Sequence, residues 1–548
     1  MSSEESQPSD DQTAGTVLLD SDRLAENARP ITSSLPPELF VQIISEVYRL
    51  IHHETPYDRR GINWSSPYQL VCRSWRDVIR STPWIWGQWI RVTRSPEWLE
   101  VCLERCCSSW ASVYVVPPYD PSATFSLLRH YASCIAICYI QSDAGNPTWL
   151  EGLSAFLATP LPLLESLRIC AVWNEIADVS FTHDQLPELI TLHLENCIPG
   201  PRDVAVYLSL RSLRLCATPW QISYTDFLDI LRQCHDLQYL MLEGTLLDHF
   251  HETRMDRAML PSSGRAPVFL PFLEILTLQG PREILFDLID TLQMPLATTI
   301  DAETFVELAH PGPHISQFVS PDIQARHPLM CRPAAVSVTC LDNKFRLFLH
   351  GEKPGQGLSL AVYGRRLSSD WPAWSTYLEP NISAAVDMFS FDLVDTLHID
   401  GVPEEVRAEV WHRVFQACRN LRVLHLRGWG TLHSVWQGMW DATLSSPPPD
   451  GVVCCPWLAE ISVEGHPESP RHWQDFTATA TLFETLRGAL CARADQCGTR
   501  IEKLKMTLRY SHELWNGTAE HDAAVEEIRG LVNEFDYNNV LSDSYDPL

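Results

Sequence analysis

One short phrase of apolar positions recurs along most of the chain: an apolar residue, two others, a second apolar residue, one other, and a third. It reads Leu164-Leu167-Ile169, Leu189-Leu192-Leu194, Leu210-Leu213-Leu215, Leu237-Leu240-Leu242 and Leu273-Leu276-Leu278. It returns as Val394-Leu397-Ile399, Leu421-Leu424-Leu426, Leu458-Ile461-Val463 and Ile501-Leu504-Met506. The last two positions alternate with period two, as in a strand with one face against a core. Between phrases, Thr225 to Cys234 (Phe227, Leu228, Leu231) and Glu404 to Cys418 (Val406, Val410, Trp411, Val414) carry helical spacing. Upstream, Trp98 to Arg105 and Phe125 to Ala132 read as helices, and Ala111 to Val116 and Cys134 to Ile140 as strands.

One strand plus one helix per unit predicts an α/β architecture, a curved solenoid in which helices line a parallel sheet. The shorter intervals between phrases are 21 to 27 residues and the longer ones 36 to 43. The former suit a leucine-rich repeat and the latter need insertions. The chain here is similar to irregular leucine-rich-repeat proteins, with the solenoid expected over 91–536 and insertions near 279–393 and 441–455. Val336-Val338-Cys340 and Phe345-Leu347-Leu349 alternate inside the first insertion, so degenerate repeats are expected to continue there. Ala523 to Phe535 reads as an acidic amphipathic helix capping the end, and 537–548 as a tail.

The residue between the last two apolar positions of each phrase points away from the core. Arg168, His193, Arg214, Met241, Thr277, His398 and His425 are thereby predicted to line one polar, mixed-charge face, either a surface for protein recognition or an ordinary solvated strand face. Trp429, just after a strand, is the aromatic best suited to anchor it.

A different pattern precedes the repeats. Residues 1–30 are polar and acidic, too poor in apolar groups to offset ordering entropy, and read as disordered. Residues 31–90 read as a small all-helical module. Ser33 or Ser34 can cap a helix whose first turn takes Pro36 and Pro37. Leu39, Phe40, Ile43, Ile44, Val47 and Leu50 then recur at helical spacing. A second helix runs from Gln69 to Ile79, with Leu70, Val71, Trp75, Val78 and Ile79 on its apolar side. A module of ~55 residues is marginal alone, so its remaining apolar surface needs cover from the chain or a partner.

Leu35-Pro36-Pro37-Glu38-Leu39, then Val71-Cys72-Arg73-Ser74-Trp75-Arg76 and Ser81-Thr82-Pro83-Trp84-Ile85-Trp86, resemble an F-box. The polar segment from Arg49 to Ser66 departs from that family, which is tighter between its two halves. The resemblance implies docking on a Skp-type adaptor and, through it, a cullin–RING ubiquitin ligase. It places Leu35, Pro36, Pro37, Leu39, Ile43, Val71, Cys72 and Trp75 at the module core and adaptor contact. The chain would then be a substrate-recognition subunit, not an enzyme. A non-ligase interaction scaffold and an α/β enzyme with an unrecognised site are the alternatives.

Composition narrows the classes further. The 548 residues exceed one compact core. The formal charge of -28 disfavours nucleic acid or anionic membrane as the main partner. No apolar run reaches the ~18 residues of a membrane span, and the polar opening does not read as a signal peptide, so a cytoplasmic or nuclear setting is expected. The 17 cysteines contain no Cys-x-x-Cys pair and no metal-site spacing with histidine. Phosphate-loop, nucleophile-elbow, His-Glu-x-x-His and dinucleotide motifs are missing, and no cofactor is expected. His249 and His251, beside Asp248 and Glu252, read as a solvated loop. The four lysines, Lys344, Lys353, Lys503 and Lys505, all lie in the second part of an arginine-rich chain.

Overall fold

A computed structural model describes residues 36, 38–44, 46, 73–88, 90–92, 96–106, 109–142, 148–172, 177–199, 204–256, 266–295, 299–307, 333–341, 344–351, 353, 356–365, 375–401, 406–429, 432–445, 454–466, 478–498, 500–511 and 519–542. The fold is mixed α/β, dominated by one large, mostly parallel sheet. Its strands, numbered in chain order, begin with β1 (Ile90–Val92), β2 (Ala111–Val115), β3 (Ile135–Gln141), β4 (Ser166–Cys170), β5 (Thr191–Glu195) and β6 (Ser212–Cys216). There follow β7 (Tyr239–Glu243), β8 (Ile275–Gln279), β9 (Thr299–Glu307), β10 (Ala335–Leu341), β11 (Lys344–His350) and β12 (Gly357–Arg365). The set ends with β13 (Thr396–Gly401), β14 (Val423–Trp429), β15 (Glu460–His466), β16 (Ile501–Ser511) and β17 (Val532–Ser542).

Neighbours in the sheet follow chain order from β1 to β9 and from β13 to β17. Between those runs the order inverts: β9 pairs with β12, β12 with β11, β11 with β10, and β10 with β13. Among the described residues only the two pairings of β11 are antiparallel. Among the described residues the sheet does not close on itself.

The recurring phrase accounts for the strands. Leu213 and Leu215 of β6 are fully buried, while Ser212, Arg214 and Cys216 stay partly exposed. Each buried leucine contributes about 2 kcal/mol. The leading leucine of a phrase turns inward one step before the strand. There the backbone already bonds sideways: Ile190 N–H to Glu165 O, Arg211 N–H to Ile190 O, Gln238 N–H to Arg211 O and Glu274 N–H to Gln238 O, each at 2.8 Å. At the strand exits Asn196, Ala217 and Gly244 adopt left-handed backbone, with φ of 54°, 47° and 76°. The turn lets Ala217 N–H reach Glu243 O at 2.7 Å and Gly244 N–H reach Gln279 O at 2.9 Å.

Helices join the strands and pack on one another in sequence, as do Pro96–Cys106, Pro121–His130 and Thr148–Leu157, and Ala408–Ala417, His433–Leu444 and Ala478–Cys497. Asp120 caps the second by accepting from Ala123 N–H at 3.2 Å, with Pro121 in its first turn. One continuous core runs between helices and sheet, holding Trp149, Trp411 and Trp436 fully buried. Arg493 enters it from the last long helix and donates to the carbonyls of Cys454, Pro456 and Leu458 at 3.1–3.4 Å.

Several elements differ from the sequence reading. The stretch expected as degenerate repeats contributes β9 to β12, but as an inverted meander, because β10 and β11 are joined by a link too short for a helical crossover. The C-terminal helix is Ala519–Arg529, not Ala523 to Phe535, and the expected tail from 537 to 542 belongs to β17. In that strand Phe535 and Tyr537 pack against the core between exposed Glu534, Asp536 and Asn538, and among the described residues its sheet neighbour is β16. Asp248, His249, His251 and Glu252 lie on the helix Thr245–Asp256 rather than in a loop. The disordered reading of 1–30 and the polar segment Arg49 to Ser66 fall outside the described residues.

Candidate protein-interaction surfaces

The first surface is on the N-terminal helical module. Residues 38–44 are helical, and Phe40 N–H bonds back to Pro36 O at 3.1 Å. Helical spacing divides the apolar residues into two faces. Phe40 and Ile44 are buried in the continuous core. Leu39 and Ile43 face outward, 48% and 46% exposed. Pro36 is exposed beside them. A second helix, Arg73–Ser81, leads into a short one, Pro83–Gly87, and Trp86 Nε1–H donates to Ile79 O at 2.8 Å to lock the two together. Arg105 lies 4.2 Å from the Trp86 ring. Of the other expected contact residues, Leu35, Pro37, Val71 and Cys72 lie outside the described residues, as does the side chain of Trp75, whose backbone is in the second helix.

The second surface is the outer face of the sheet. In-register pairing brings the residues singled out in separate phrases into one row. It runs Tyr114, Tyr139, Arg168, His193, Arg214, Met241, Thr277 and Asp301 across β2 to β9. It continues through Ser359, Phe348 and Ser337 to His398, His425, Ser462 and Lys505. Trp429 ends β14, and its side chain lies outside the described residues.

Local chemistry differs along the row. Near its start the guanidiniums sit on tyrosine faces: Arg168 lies 5.0 Å from the Tyr139 ring and Arg214 4.3 Å from the Tyr239 ring. His193, between the two arginines, is buried at 8% exposure, and its Nε2 has no hydrogen-bond partner. Burial first, then the charges of Arg168 and Arg214, push its pKa down to about 3. Farther along, His398 and His425 stack with ring centroids 4.5 Å apart. Burial, then the neighbouring His425 and His350, push His398 down to about 4. Burial also raises the pKa of Asp400, against the opposing charge of Arg427 and with help from Glu464. Arg346 in the middle bonds Ser359 Oγ at 2.8 Å and faces Asp301 at 3.3 Å. The face therefore offers planar rings, cations over aromatics and carboxylates, the groups that read peptide surfaces.

One cluster was missed from sequence. Cys170 and Glu195 pair directly across β4 and β5, and His193 lies two residues before Glu195 on the same face. Cys170 Sγ, a His193 ring nitrogen and a Glu195 carboxylate oxygen all lie within 4.8 Å of one another. No local spacing announces it, because its members come from two repeats. The available signal was the residue closing each strand, Cys170, Glu195, Cys216 and Glu243, which alternates between thiol and carboxylate along one row. No protein-family model matches the chain, and no curated protein matches it.

Proposed function

We propose that this chain is the substrate-recognition subunit of a Skp–cullin–F-box ubiquitin ligase. The N-terminal module docks on the Skp-type adaptor, and a leucine-rich-repeat-like solenoid presents the outer row of its sheet to a protein substrate. The observation that carries this reading is the pair Leu39 and Ile43, one helical turn apart and both about half exposed, above a buried Phe40 and Ile44. The inner pair fastens the module to the chain's own core, and the outer pair is apolar surface available to a partner helix. In a scaffold whose module merely covered the sheet domain, Leu39 and Ile43 would be buried. The ligase subunit itself breaks no bond. It acts by raising the local concentration of ubiquitin-charged enzyme near the lysines of a bound substrate.

The test is co-purification of the full chain with a Skp-type adaptor, wild type against Leu39→Ala/Ile43→Ala. Stoichiometric capture by the wild type, lost in a double variant with unchanged circular dichroism, supports the reading. Capture at wild-type strength by the variant, or none by a folded wild type, overturns it.

A further inference from the structure

The chemistry of Cys170, His193 and Glu195 extends beyond substrate docking and is independent of the ubiquitin-ligase reading. We propose that these three residues form a zinc site on the outer face of the sheet. The ligands are Cys170 Sγ, a ring nitrogen of His193 and a carboxylate oxygen of Glu195, with a fourth position open to water.

Four observations carry the proposal. The donor set is one that zinc takes in tetrahedral sites with three protein ligands. All three donors stand on two hydrogen-bonded strands, β4 and β5, so backbone register holds them within 4.8 Å of one another. Donors on a tetrahedral zinc stand ~3.5 Å apart, so the three have little distance to close. His193 is buried with its Nε2 lacking a hydrogen-bond partner, and a metal bond satisfies such an atom. Finally, the cluster already attracts a cation. Arg168 Nε donates to Cys170 Sγ at 3.3 Å, and its Nη2 lies 3.9 Å from Glu195 Oε2. A zinc ion takes over this role, while the guanidinium keeps its place against the Tyr139 ring.

Zinc binds Cys170 as the thiolate and His193 through the lone pair of a neutral imidazole. Binding therefore forms S–Zn, N–Zn and O–Zn bonds in place of zinc-bound water. It breaks one S–H bond, and that proton leaves to the buffer.

The full-length chain, stripped with chelator, is titrated with cobalt(II). One equivalent should produce a thiolate-to-cobalt charge-transfer band that one equivalent of zinc removes. Calorimetry in two buffers of different ionisation enthalpy should report one proton released. Cys170→Ser should lose the band, and His193→Gln and Glu195→Gln should each weaken binding at least about tenfold, the loss that even an outer-shell change produces. Arg168→Gln should tighten binding by removing the competing cation. Cys216→Ser, the next thiol along the row, should leave it unchanged. The proposal is overturned if the folded wild type gives no saturating band, if the band survives in Cys170→Ser, or if Cys216→Ser abolishes it equally. If Cys170→Ser does not fold, unchanged affinity in His193→Gln overturns it.

Discussion

His398 shows how a side chain between strands acquires a pH response. It faces His425 and His350, with Asp400 and Arg427 close on the same side, and is held neutral mainly by burial. Its folded-state pKa of about 4 lies below the ordinary 6.5. The folded chain thus refuses a proton that the unfolded chain accepts. Its contribution to stability is complete above pH 6.5, declines as pH falls toward 4, and levels off below that. Urea midpoints should therefore fall between pH 7.5 and pH 5, and His398→Gln should flatten that fall. An equally steep fall in the variant would assign the response elsewhere.

At the level of the repeating element, the strand exit is the most constrained point. Asn196, Ala217 and Gly244 occupy the same left-handed position in successive units. Asn and Gly tolerate it, whereas Ala217 carries a Cβ where L-residues are strained by roughly 1–2 kcal/mol. Ala217→Gly removes that strain and costs part of it back in unfolded-state entropy. A net gain of about 0.5–1 kcal/mol is expected, read as a higher thermal midpoint, while Gly244→Ala should lower it.

The same element shows what the sequence could disclose. The phrase around Leu213 and Leu215 defined both strand and inward face, because burial on one side leaves a period of two. Stacking such phrases in register was enough to align Arg168, His193, Arg214, Met241 and Thr277 as one set and His398 and His425 as another. It was not enough to find Cys170 beside Glu195, since that needs the pairing of residues closing two different strands. Nor was the start of β17 legible, because Val525, Ile528, Val532 and Phe535 keep helical spacing across the end of the helix Ala519–Arg529, although Phe535 and Tyr537 already alternate as in a strand. The inversion of β10 to β12 followed neither from propensity nor from spacing. It is a choice of pairing partner, and the alternating residues of Phe345, Leu347 and Leu349 fit either strand direction.

For the whole molecule, the order of the sheet matters more than its size. Among the described residues the one change of strand direction is the meander between β9 and β13. Such a ladder is a poor conductor of free energy. A disturbance at one rung is absorbed by the next few, and the meander interrupts the parallel run on the way. The module beside β1 and the stacked histidines on β13 and β14 share no partner among the described residues and are expected to act additively. If the module docks on an adaptor as proposed, replacing both His398 and His425 with Gln should leave that affinity unchanged within about twofold, the additivity expected of distant sites. If the chain is the receptor proposed above, it can vary what it recognises at one end while the apparatus at the other end keeps the same strength of grip.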